Sequence, residues 1–359
     1  MSFFSWFKKP EPSTAFSFDN GHLRWVSVVR EEDGIQVVDY GSEFMGPDIV
    51  DADDVIVGEA AFVRKLRTLV TKEDGTSKFN VVNIVIPDRQ AIMFHTHVAR
   101  MEAREMGDVI IDHIKTYCEA HQLLNLQEYI CEYDVIFQTA FGYDVHVTLV
   151  PKTYVSHLVR LFKQAGCNVK YIETAHHAVA RSCLNIPNGT GYVFVSVGRQ
   201  KTTVALVHGE HLVSQKTVSV GTDTLRRVIE RFLRTSPESA EKIIERHGVL
   251  QTHPDNGLLG ELYLELAPIA HAIDQEIIRL GQLSYKIYGH RFITRDMVVY
   301  GEGVGVKGLV GFLGEQSRLN ARVLDVWAGR DDRAPILNLP AAETLTYAEP
   351  LALALLYLN

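Results

Sequence analysis

The chain has 359 residues, of which 46% are hydrophobic and 22% charged, and its formal net charge is -8. Such a length suits about two or three domains, and the composition excludes a disordered chain. An acidic balance with no basic patch excludes nucleic acid as an expected partner. The four cysteines, Cys118, Cys131, Cys167 and Cys183, form no CxxC pair. Neither a metal cluster nor a disulfide framework is therefore expected, and a reducing, cytoplasmic setting is. No run of about 18 apolar residues occurs, so no membrane-spanning helix is expected.

The N-terminus reads MSFFSWFKKPEP. Its charges follow its apolar residues, the wrong order for a signal peptide. Phe3, Phe4, Trp6 and Phe7 beside Lys8 and Lys9 could enter a membrane interface. A strip that frays or packs on the body is the preferred reading. Ala15 to Asp19, His22 to Val29 and Ile35 to Tyr40 form a β-meander, turning at Asn20-Gly21 and again at Glu32-Asp33-Gly34. Val57 to Thr71 carries Ala60, Phe62, Leu66 and Val70 at helical spacing. Val81 to Ile86 is a continuous apolar run before Pro87, the profile of a buried strand.

From 87 to about 172 the character changes. A strand (91–100), a helix (101–122), two strands (128–138 and 143–150), a helix ending at Gly166 (152–165) and a short strand (169–172) follow one another. This module reads as an insertion. His176 and His177 open a further helix; neighbouring residues do not share a helix face, so they are not expected to bind one metal together.

Gly191 to Leu225 is the stretch around which the chain is organised. It holds strands at 192–197, 202–208 and 211–220, turning at Gly198-Arg199-Gln200-Lys201 and Gly209-Glu210, and then a helix from Thr222-Asp223. This is a second β-meander with the plan of the first, which points to duplicated halves. Ser236-Pro237 opens another helix. Leu258 to Ile287 is a long amphipathic helix in which Pro268 is expected to break or kink the backbone. A strand at 297–300 then runs into Gly301-Glu302-Gly303-Val304-Gly305 and a helix at 307–319; a strand at 321–326 and an apolar helix at 349–358 complete the chain. A glycine turn before a helix lets backbone approach a phosphate or nucleoside, or is simply a tight turn.

In this order the parts resemble the actin-like ATPase superfamily, within it FtsA, and more closely the PilM family of type IV pilus assembly proteins. VTLVPKTYVSHLVRLFKQAGCNVKYIETAHHAVAR, VSVGTDTLRRVI, MVVYGEGVGVKGLVGFLGE and EPLALALLYL carry the resemblance, which covers about 14–358. It implies an α/β actin-like fold of duplicated ribonuclease-H-like halves with a small inserted α+β subdomain. The expected parts are a tail (1–13), the first part of half I (14–86), the inserted subdomain (87–172), a connecting helix and loop (173–190), half II (191–348) and a closing helix (349–359).

The resemblance also implies ATP and magnesium at a pocket formed by Asp19, Gly21, Ser196, Gly198, Thr202, Thr203, Glu241, Gly301, Gly303 and Gly305. Four departures from the family pattern stand against an intact pocket. His22, Leu23 and Arg24 replace small hydroxyl residues after the first turn. Ser196 replaces the second-turn aspartate and cannot supply the negative charge that Mg²⁺ favours. Ile244 replaces a lysine, and Glu302 adds negative charge where a small residue is usual. Together they predict a degenerate pocket that can still bind ATP but is not expected to be an efficient ATPase. The resemblance implies a cytoplasmic scaffold peripheral to the inner membrane. It would dock the tail of a PilN-like single-span membrane protein between half I and the inserted subdomain, beside pilus motor or platform proteins. The alternatives are an active ATPase or kinase using Asp19 and Mg-ATP, and an FtsA-like filament or membrane tether.

Overall fold

A computed structural model describes the chain apart from residues 1–10, 20, 33, 52, 124, 184–189, 251–256, 293, 328–338, 340–343 and 359. The aromatic tail Phe3, Phe4, Trp6 and Phe7 with Lys8 and Lys9, and Asn20 of the first turn, lie outside the described residues. The chain divides into two compact units: Met1–Pro87, Leu161–Asn185 and Leu324–Asn359, and Asp88–Arg160 with Ile186–Val323.

The first unit is built on a five-stranded sheet. Strands β1 (Ser13–Asp19), β2 (His22–Glu31), β3 (Gly34–Phe44), β4 (Val81–Ile86) and β8 (Asn168–Thr174) lie in the order β3-β2-β1-β4-β8. The β1, β2 and β3 pairings are antiparallel, while β4 runs parallel to β1 and β8 parallel to β4. Both faces of β1 are buried, as in a sheet with helices on each side. Helix α1 (Glu59–Val70) supplies Phe62, Leu66 and Val70 to one face. There the Phe62 ring lies 5.9 Å from Phe18 and 6.0 Å from Phe162, which itself lies 5.5 Å from Phe16. Phe162 belongs to the last turn of α3 (Lys152–Ala165). The C-terminal helix packs against β1, β2 and α4 (Ala175–Cys183). Its apolar character on every side follows from that burial.

The second unit repeats the plan. Strands β9 (Gly191–Val197), β10 (Thr202–His208), β11 (His211–Val218), β12 (Thr294–Tyr300) and β13 (Asn320–Val323) lie in the order β11-β10-β9-β12-β13. Three antiparallel strands are again followed by two parallel ones. The duplication expected from the two meanders is therefore present strand for strand. Helices α5 (Thr222–Leu233), α6 (Pro237–Arg246), α7 (Leu258–Tyr288) and α8 (Leu309–Ser317) contribute apolar residues to the core on this sheet, among them Leu225, Ile229, Ile244, Leu266, Ile277 and Phe312. Helix α7 runs for 31 residues through Pro268, so of the expected break or kink there is no break. Pro268 is exposed, and so is Leu264, one turn earlier, whose carbonyl loses its usual donor. A carbonyl facing water keeps a partner, so the helix tolerates the proline there. Before α8 the glycine turn forms a single tight helical turn, Glu302–Gly305.

The second unit also holds a three-stranded sheet, with β5 (Ile92–Ala99), β6 (Tyr129–Gln138) and β7 (Gly142–Pro151) in the order β5-β7-β6. Helix α2 (Ala103–Ala120) covers one face through Ile110 and Ile114, packed with Val98, Val145, Val147 and Leu149. Residues opposite one another on the other face are polar: His95 pairs with His146, and His97 with Asp144. Asp144 is 3% exposed. Its carboxylate accepts from His97 Nδ1 at 3.0 Å and from the Arg291 guanidinium, with His95 Nε2 at 3.6 Å. Burial opposes the Asp144 charge, but the His97 hydrogen bond and Arg291 outweigh it and hold the carboxyl below its usual range. On β6, Asp134 lies 3.0 Å from His211 of β11. This face joins the small sheet to β11 and to the end of α7.

Candidate nucleotide site

The first turn belongs to the first unit. Asp19 ends β1, and Gly21 takes φ +75, a conformation glycine adopts without a side-chain clash. The Gly21 N–H, a donor of the kind a phosphate would need, donates to the buried Asp54 carboxylate at 2.9 Å. Asp54 stands 33 residues further along and itself has positive φ. No local signal could have marked it. An internal carboxylate therefore takes the place of an external anion at this amide.

The second turn belongs to the second unit. Ser196 is half-buried on β9, opposite Thr203 of β10 and Tyr300 of β12. The hairpin closes with Gly198 N–H donating to Lys201 O at 2.9 Å. The start of α5 then docks on this turn: Thr222 N–H donates to Gly198 O at 3.1 Å and Asp223 N–H to Arg199 O at 2.8 Å. The helix starts at Thr222, as expected, with Gly221 as its N-cap and no side-chain cap. A Cβ on Gly221 would meet Arg199 O at 2.3 Å. Two helix-terminal donors of the kind that bind phosphate are thus used within the fold.

The glycine turn packs on the same strand. A Cβ on Gly301 would meet Val197 O at 2.7 Å, and one on Gly303 would meet the Val197 side chain at 2.2 Å. Gly305 faces open space. Close packing accounts for Gly301 and Gly303. Ser196, Gly198, Gly301 and Gly303 are brought together around Val197. The hydroxyls of Thr202 and Thr203 are turned to structural partners: Thr202 Oγ1 donates to Val220 O at 2.7 Å, and Thr203 Oγ1 bonds Thr217 Oγ1 at 2.9 Å. Glu241 is exposed on α6, and Ile244 is 2% exposed in the core.

The charges at this site compensate one another. Arg199 Nε stands 3.7 Å from both Asp223 Oδ1 and Glu302 Oε2. Arg226 reaches Asp223 at 3.0 Å and Glu230 at 2.9 Å. Burial opposes the Arg226 charge; the Asp223 carboxylate, with Glu230 and Glu241, outweighs it and raises its pKa. The negative charge added by Glu302 is therefore met by Arg199. Sequence reading placed Arg199 in a turn without a role, since its partners lie 24 and 103 residues away. No acid stands at Ser196 to hold a magnesium-bound water, and the residues on the second turn do not fit a magnesium site.

This geometry belongs to a known architecture. A structure described as a PilM–PilN type IV pilus biogenesis complex superposes with a TM-score of 0.68 at 14% identity, covering 96% of each chain. MreB5 of Spiroplasma citri bound to AMPPNP gives 0.58 at 11% identity over 96% of this chain and 95% of that one. The ethanolamine utilization protein EutJ from Carboxydothermus hydrogenoformans gives 0.53 at 13% identity, over 97% and 91%. The fold is the actin-like ATPase fold. The cell division protein FtsA of Bacillus subtilis (strain 168) is 28% identical over 198 residues, half of this chain and 44% of FtsA. The matched stretch thus spans less than half of that relative's length. No family profile matches the chain. Among the described residues no helix is long and apolar enough to cross a membrane.

Proposed function

We propose that the chain is an actin-like assembly scaffold whose nucleotide pocket is degenerate, and that it docks the tail of a PilN-like single-span membrane protein at the inner membrane. The observation that carries the first part is where the phosphate-binding donors go. Gly21 N–H is given to Asp54, and the first amides of α5 are given to Gly198 and Arg199 carbonyls. The neutral Ser196 supports the same reading, because phosphoryl transfer depends on charge placed around the metal and the attacking water. The likeness in fold to a PilM–PilN complex supports the second part.

A second reading, in which nucleotide binds without turning over and controls docking, is favoured by Arg199. Its guanidinium is 43% exposed and only loosely held by two carboxylates, so it can turn toward an anion. Calorimetry of the whole chain with Mg-ATP, paired with titration of a fluorescent PilN-like tail peptide, tests both. The scaffold reading expects peptide binding of the same strength with and without nucleotide, and no phosphate release. Peptide binding that changes about tenfold on adding nucleotide, a coupling of about 1.4 kcal/mol, selects the second reading. Steady ATP turnover that does not need the peptide overturns both.

A further inference from the structure

A shallow groove of about 670 Å³ runs along the outer face of α1. It belongs to the first unit alone. Arg64, Arg67 and Lys72 line it with Thr68, Thr71 and Val63, and no Asp or Glu does. The three basic residues are exposed, whereas Val63 and Thr71 are half-buried. The cations thus form a rim above a partly apolar floor.

These cations stand out from the rest of the chain. The stretch from Glu59 to Lys72 holds four basic residues and one acidic, in a chain whose net charge is -8. Lys65 is spent elsewhere, 3.1 Å from the Glu43 carboxylate and donating to Phe44 O at 2.7 Å. The other three serve the groove. Arg67 donates to Gln164 O at 2.7 Å, which braces its guanidinium against the last turn of α3 and leaves its remaining N–H groups for another acceptor. The Arg64 side chain has no hydrogen-bond or ion-pair partner among the described residues. Lys72 acts on Asp74 through charge, but that carboxylate is bonded to Thr76, accepting from Oγ1 at 2.6 Å and from N–H at 2.9 Å.

Like charges one helical turn apart repel, and carboxylates laid along them relieve that repulsion. From Ala60 to Thr71 the groove is about 17 Å long at 1.5 Å per residue, the length of three turns of a second helix. Acids three and four residues apart on such a helix match the spacing of the rim, and the guanidinium fork suits a carboxylate. An apolar residue between them would rest on Val63, as in other helix-in-groove contacts. A lipid surface fits less well. No Leu, Ile, Phe or Trp lines the groove to enter a bilayer, and its apolar floor lies below the cationic rim.

We propose that the outer face of α1 docks an acidic amphipathic helix of a partner protein, with its carboxylates on Arg64, Arg67 and Lys72. The proposal does not depend on the scaffold reading.

The test uses the whole chain and a fluorescein-labelled helical peptide of about 14 residues, with glutamates three and four apart and leucines between them, long enough to span the groove. The same peptide with lysine for glutamate is the control. At a net charge of -8 the overall field of the chain favours the lysine peptide, so tighter binding of the glutamate peptide reports the local face. Fluorescence anisotropy should give the glutamate peptide a dissociation constant on the order of 100 µM at about 0.05 M salt, weakening as salt rises to about 0.5 M. Arg64→Glu with Lys72→Glu should weaken it at least about tenfold. Lys242→Glu with Arg322→Glu, exposed in the second unit, changes the net charge equally and should leave binding within about twofold. Unchanged melting shows that both variants fold. The proposal is overturned if the glutamate peptide fails to bind, if the lysine peptide binds more tightly, or if the two pairs of changes weaken binding alike. Failure of the peptide, together with binding to phosphatidylglycerol vesicles that the α1 pair abolishes, would assign the face to a lipid surface instead.

Discussion

Asp144→Asn is the most informative single change in the small sheet. The carboxylate is 5% exposed at its side chain and accepts from His97 and Arg291. A hydrogen bond to a charged group contributes about 1.5–3 kcal/mol. The two donors are 48% and 41% exposed, so water replaces much of what they lose, and the lower end applies. The expected loss is about 2–3 kcal/mol, or on the order of 5 °C in melting temperature. The sign with pH follows from the shifts. Asp144 has a lowered folded pKa, so its contribution is present above its unfolded value of 3.8 and is lost as pH falls through the folded one. The difference between parent and variant should be full at neutral pH and shrink in strong acid. His95 has a lowered pKa because burial disfavours its charged form, so it too costs stability as pH falls below 6.5. Asp144 partly offsets that shift, and its loss should make acid unfolding of the variant begin at higher pH. Urea unfolding between pH 7 and pH 2, with hydrogen exchange read on β5 and β7, gives both quantities. A variant within about 0.5 kcal/mol of the parent at pH 7, with exchange on β7 unchanged, would refute the reasoning.

Four other changes probe different parts of the molecule. Gly221→Ala should lower stability by about 2 kcal/mol or more, because its Cβ would stand 2.3 Å from a backbone oxygen that cannot turn away; calorimetric melting measures it. Pro268→Ala should raise stability by about 1–3 kcal/mol, since an exposed helical position regains its donor. Asp274 is 4% exposed, and burial raises its pKa. Asp274→Asn should therefore stabilise the chain relative to the parent by an amount that grows as pH rises from 3.8 through the raised folded pKa and is constant above it, and unfolding at pH 3 and pH 8 shows the difference. Ser196→Asp should leave ATP turnover close to background in a phosphate-release assay, because Gly21 N–H remains bonded to Asp54 and Ile244 remains in the core.

Much of the architecture was legible along the chain because its signals are short. The meanders at β1–β3 and β9–β11 announce themselves through alternation and glycine turns a few residues apart. Ser236 does cap α6, its side chain accepting from Ser239 N–H, as Ser-Pro predicts. Repetition of the meander pointed to duplicated halves, and the two sheets share one strand order. That Pro268 leaves its helix unbroken was not legible, because its effect depends on whether its turn faces water, which the local sequence does not state.

The site was less legible. That Ser196 is neutral, and that glycines stand at 301 and 303, can be read directly. Where the donors of each turn are spent cannot, since Asp54 reaches Gly21 from 33 residues away and Val220 reaches Thr202 from 18. The groove on α1 is local in sequence, but its Arg67 is braced by Gln164 O from 97 residues away. Sequence by itself determined which segments become strands, turns and helices, because those choices rest on backbone preferences and apolar spacing within a few residues. Only the tertiary structure decided which polar groups meet, because hydrogen bonds and ion pairs form between whatever side chains the packing of the core brings within about 3 Å.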